Sequence, residues 1–132
     1  PKEYLLKGDP YHCMCQKSAR LLREALGWPE DRFKVAFQSR FGPKEWLQPY
    51  ADELIESLGH EGVKRVAVVS PAFYSDCVET LEEIAMGLKE TFEEAGGESL
   101  VALDCLNASD EGMAFLEYMV RQELGGWLAG RD

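Results

Sequence analysis

Apolar positions along the chain alternate between two periods, and the alternation lays out a fold. In PYHCMCQKSARLLREALG (residues 10–27), Ala19, Leu22 and Leu26 recur on one helical face. Asp9 stands where it can cap that helix, Pro10 suits a first helical position, and Gly27 stops the run. FKVAFQ (33–38) alternates between apolar and polar and predicts a short strand. The Gly-Pro pair makes RFGPKEW (40–46) a loop, and a helix follows over about 49–58, ending at Gly59. VKRVAVVS (63–70) is an almost unbroken β-branched run, the pattern of a central parallel strand covered on both faces. Over 76–94, Val78, Leu81, Ala85, Leu88 and Phe92 fall at helical spacing, and Gly96-Gly97 ends the helix. SLVALDCL (99–106) reads as a third strand. A last helix over 109–124 starts at Ser109 or Asp110 and carries apolar Met113, Leu116 and Val120.

The resulting order, α-β-α-β-α-β-α, predicts an α/β three-layer sandwich: a parallel sheet with helices on both faces and right-handed crossovers. Ligands on such folds gather beyond the carboxyl ends of the strands. The 132 residues fit one domain with a real core, and no repeat, linker or low-complexity tract divides them. A net charge of −10 excludes nonspecific binding to nucleic acid or anionic membranes, which needs a basic surface. No apolar stretch approaches the roughly 20 residues of a membrane span. Residues 1–12 carry charges and a Pro where a signal peptide has its apolar segment. Cys13, Cys15, Cys77 and Cys105 match neither a zinc CxxC pair nor a disulfide framework, so reduced thiols in a cytoplasmic protein are expected.

The chemistry concentrates in SPAFYSDCVETLEEIAMG (70–87), where a strand hands over to a helix rich in carboxylates. On a helical wheel Asp76, Glu79, Glu83, Glu90 and Glu94 lie opposite the apolar stripe, which reads as a solvated face. Asp76 and Glu79 also have the spacing of N-cap and N3, where negative charge favours a helix start. The other reading is chemical. Glu79 and Glu83, four apart, can share a cation or pass a proton, and like charges held close raise one pKa when partly desolvated. Oxygen ligands of this kind attract a hard or borderline divalent ion. Trp46, in the Gly-Pro loop, could cover a flat aromatic ligand or plug a local core with Leu47 and Tyr50. Arg40, His12 and His60 read as surface residues. There is no Gly-rich phosphate loop and no Ser-His-Asp or Cys-His pattern. A receiver-like module is disfavoured because no Asp ends a central strand in the required context.

Several stretches together resemble ferrochelatase: KGDPY (7–11), FQSRFGPKEWLQPYADE (37–53), GVKRVAVVSPAFYSDCVETLEEIA (62–85), AGG (95–97) and CLNAS (105–109). They run in the family's order across nearly the whole chain, and the long QSRFG stretch is most similar to Gram-negative bacterial members. The resemblance implies two similar α/β lobes enclosing a porphyrin cleft, with residues 1–132 as the C-terminal lobe and the N-terminal lobe absent. It implies insertion of ferrous iron, a substrate, into protoporphyrin IX in haem synthesis. Coproporphyrin as acceptor, or a cobalt chelatase of the same fold, is the alternative. Asp76, Glu79, Thr80 and Leu81 match the family's D-x-x-E-T-L motif, whose glutamate handles metal or takes pyrrole protons. The resemblance thus implies Glu79 as the catalytic residue, Glu79 and Glu83 as metal contacts, and Trp46 and Asp76 on the porphyrin side. Gly87 stands where some members carry a further acid. The family's catalytic histidine belongs to an S-x-H-G-x-P motif whose last residue Pro1 resembles, so it is expected to precede this chain, and the chain alone is expected to be inactive. The cysteines do not reproduce the closely spaced set of members with a [2Fe–2S] cluster, and none is expected. Some relatives associate peripherally with membranes.

Overall fold

The computed structural model describes residues 1–128. Its elements are α1 (Lys2–Leu6), α2 (Tyr11–Leu26), a 3-10 turn (Glu30–Arg32), α3 (Ala51–His60), β1 (Arg65–Val68), a π-helix (Glu79–Leu88) continuing directly as α4 (Lys89–Glu94), β2 (Ser99–Ala102) and α5 (Asp110–Leu128). The class is α/β. β1 and β2 pair in parallel, with Val66 opposite Leu100 and Val68 opposite Ala102. None of the described helices is long and apolar enough to cross a membrane.

Local chemistry sets the ends of α2 much as the sequence suggests. An Asp9 carboxylate oxygen accepts the Tyr11 N–H at 2.9 Å. Pro10 takes the cap position rather than the first helical one. Gly27 closes the helix at φ 65°, a left-handed conformation that costs glycine little.

The core joins Ile55 of α3, Ile84 and Leu88 of the π-helix, Phe92 of α4 and Leu100 of β2, with Val66, Val68 and Ala102 packed against it. Phe92 is wholly buried. Removing a side chain of that size from water is worth about 1.5–3 kcal/mol. α3 meets the end of α4 at backbone contact, because a Cβ on Gly59 would lie 2.5 Å from the Ala95 Cβ.

Two expectations need correction. Residues 33–38 do not join the sheet. Their one bridge is Phe37 to Tyr50. Phe37 N–H donates to the Pro49 carbonyl and receives Ala51 N–H in turn, both at 2.9 Å. Alternation favours an extended backbone but does not name its partner, which tertiary context decides. Among the described residues the sheet therefore has two strands. Second, its apolar run is not covered on both faces: Val69, Val101 and Leu103 are exposed. Met113, Leu116 and Val120 of α5 are exposed, as are Met14 and Leu26 of α2.

Candidate active site

The π-helix is the element that periodicity alone misjudges. In π winding each N–H reaches five residues back, which widens the turn beyond 3.6 residues. The buried positions become Thr80, Ile84 and Leu88, with Phe92 following in α4. They step by four. Val78 and Leu81, expected inside, are exposed. A π segment of ten residues is unusual, since such turns mostly occur singly and often at functional sites.

Its head is fixed by side chains rather than by a capping box. No side chain caps the first turn in the ordinary way. The Asp76 carboxylate instead turns toward the loop after β2. It accepts the Asn107 side-chain N–H at 2.6 Å and the Cys105 backbone N–H at 3.3 Å. The Thr80 hydroxyl donates to Asp76 at 2.9 Å and accepts the Cys77 N–H at 3.0 Å. Asn107, then Thr80, hold the Asp76 carboxyl below the usual range, against a smaller opposing effect of burial. Burial, then Asp76 itself, pushes the Cys105 thiol up.

Glu79 opens the π-helix, half-buried. The Cys77 thiol, and next its own backbone N–H, hold its carboxyl below the ordinary value. The expected rise from pairing two carboxylates is thus reversed at Glu79: the local hydrogen bonds to its charged form outweigh desolvation. Glu83, one turn on and exposed, accepts hydrogen bonds from Ser39 Oγ at 2.8 Å and Gln38 Nε2 at 3.4 Å. Ser39 reaches it from a left-handed backbone, φ 62°. Glu79 and Glu83 are four apart, the same step as the buried Thr80 and Ile84 beside them, so they follow one another along one side of the π-helix.

The remaining candidates separate. The Trp46 indole N–H donates to the Phe41 carbonyl at 3.0 Å and ties its loop to itself. The same loop is held to α1 by Lys2–Glu45, 2.7 Å apart, and by Lys44–Glu3. Arg40 lies 4.2 Å over the Tyr50 ring and pairs with Asp52 and Glu53. His60 stands 3.7 Å from Glu56 at the surface, and His12 stacks on Phe37 at 5.8 Å. All four cysteines are free thiols. Among the described residues, no three His, Cys, Asp or Glu side chains converge as a metal cage. The partners to which sequence reasoning gave no role are Gln38, Ser39, Thr80 and Asn107, although all four lie within the quoted stretches.

The family model described as Ferrochelatase matches residues 1–124. The chain belongs to the ferrochelatase family. It is 63% identical to the ferrochelatase of Rhizobium meliloti (strain 1021) over 97% of its own length and 38% of that protein's. Against the ferrochelatase of Agrobacterium fabrum (strain C58 / ATCC 33970) the identity is 59%, over 97% of this chain and 37% of the relative. Against that of Mesorhizobium japonicum (strain LMG 29417 / CECT 9101 / MAFF 303099) it is 54%, over 97% and 36%. The chain thus spans little more than a third of the curated ferrochelatases it matches. The matched span includes the π-helix, the loop that carries Asn107 and the Gln38–Ser39 contact with Glu83.

Proposed function

We propose that this chain is the C-terminal lobe of a cytoplasmic ferrochelatase, and that its acidic π-helix serves the insertion of ferrous iron into protoporphyrin IX. The observation that carries the reading is 63% identity over nearly the whole chain with a protein named ferrochelatase. Uncovered apolar surface supports the fragment view. A sheet face with Val69, Val101 and Leu103 exposed, and helices with apolar sides in water, suit a lobe that packs on more polypeptide.

The chemistry assigned to the site follows from its carboxylates. Metallation replaces two pyrrole N–H protons by one ferrous ion, so two protons must leave as the metal enters. Glu79, ionised at neutral pH, offers oxygen ligands that exchange a divalent ion readily, and Asp76, Glu82 and Glu83 add negative potential around it. Glu79 is then the last metal contact, and it becomes a proton acceptor once a porphyrin plate excludes water from it. Glu83 relays, held in place by Ser39 and Gln38. Asp76 supports the site through the backbone, and Trp46 contributes to the porphyrin side. Cys13 and Cys15 on α2, Cys77 before the π-helix and Cys105 after β2 take no iron–sulfur cluster in this reading.

The test supplies the full-length protein with protoporphyrin IX and either ferrous iron or cobalt, without oxygen, and follows the metalloporphyrin by absorbance. Turnover with iron is expected. Insertion of cobalt alone, or of neither metal, would overturn the proposal.

A further inference from the structure

Asn107 sits in the loop between β2 and α5, and its side chain is directed at the start of another element. Its carbonyl oxygen accepts the Asp76 backbone N–H at 2.8 Å, while its amide donates to the Asp76 carboxylate at 2.6 Å. The same amide donates to the Cys105 carbonyl at 3.1 Å. The pair is reciprocal: each residue both gives and receives a bond. Asn107 holds a left-handed backbone, φ 49°, a conformation that Asn adopts more readily than most residues. From Asp76 the chain of contacts runs through the Thr80 hydroxyl to the Cys77 N–H, across the first turn of the π-helix. Glu79 lies inside that turn. The N-cap residue itself, Val78, supplies no side-chain cap. The loop after β2 therefore sets where the head of the π-helix begins.

We infer that Asn107 is a positioning residue for Glu79, acting through its two-point bond to Asp76; this rests on the role proposed above for Glu79. The mechanism requires the Glu79 carboxylate to meet the reacting nitrogens in one orientation, and that orientation is inherited from the backbone of residues 76–80. Loss of the Asn107 amide frees Asp76 and lets the first π turn rewind, which misplaces Glu79 while Trp46, on the porphyrin side in this reading, stays tied to its own loop.

Three variants of the full-length protein test this. Asn107→Gly keeps the left-handed backbone and removes only the side chain. Its kcat for iron insertion should fall about tenfold or more, as when a supporting hydrogen bond is removed, with the porphyrin KM little changed. Asn107→Asp sets a carboxylate against Asp76 and should fall at least as far. The exchange Asp76→Asn with Asn107→Asp rebuilds the reciprocal pair and should recover most of the kcat lost in Asn107→Asp. Wild-type kcat in Asn107→Gly, a loss carried mainly by KM, or no recovery in the exchange overturns the inference. If Asn107→Gly does not fold, the comparison of Asn107→Asp with the exchange decides alone. A wild-type protein that inserts no iron overturns the proposed function and this inference with it. An active wild type with any of the contrary results overturns the inference alone.

Discussion

At the scale of single residues, Asp76 links folding to the site. Asn107, Thr80 and Cys105 all stabilise its charged form, so its folded pKa lies below the unfolded value of about 3.9. A depressed carboxylate contributes stability that is fully present above the unfolded value and disappears as pH falls through the folded one. Glu79 acts in the same sense through Cys77. Melting temperature should therefore drop as pH is lowered below about 4. Asp76→Asn should lower stability at pH 7 and flatten that acid limb. Parallel profiles for the wild type and Asp76→Asn would contradict the network. The carboxylates themselves were legible in the sequence, because D-x-x-E at the start of a helix is a local pattern. Their donors were not. Asn107 lies 31 residues from Asp76 and Ser39 lies 44 from Glu83, and spacing within one element carries no information about such pairs.

At the scale of elements, the helices after α1 and both paired strands could be read from periodicity, whereas α1 and the buried faces could not. A wheel drawn at 3.6 residues per turn puts Val78 and Leu81 inside. The π winding puts Thr80 and Ile84 there instead, four apart, and leaves Val78 and Leu81 in water. The period of a helix is an assumption of the wheel, and a polar Thr at a buried position is the one local sign that it fails here. Residues 33–38 illustrate the same limit for strands: the extended backbone was foreseeable and its partner was not. The junction of α3 with the π-helix and α4 makes two predictions. Phe92→Ala should cost about 3–5 kcal/mol, because it empties a fully buried site. Gly59→Ala should cost about 1–3 kcal/mol, because the new methyl group meets Ala95 at once. Both are read by chemical denaturation, and a neutral Gly59→Ala would show that α3 can back away from α4.

At the scale of the molecule, the chain carries more apolar surface than its own core uses. Trp127 is 81% exposed, and α5 presents Met113, Leu116, Val120 and Leu124 to water. Expressed alone, the 132 residues should bind a hydrophobic dye and self-associate, and should insert no iron into porphyrin. Dye binding as low as that of the full-length protein, or measurable insertion by the chain alone, would contradict the reading of a lobe that needs more polypeptide. The most direct test of all three scales together is the turnover of Glu79→Gln in the full-length protein, set beside its porphyrin affinity from fluorescence quenching. Turnover should fall about a hundredfold or more, the scale of a lost proton-transfer or charged group, while affinity stays close to wild type. Near-normal turnover in Glu79→Gln would mean that the head of the π-helix does not do this chemistry.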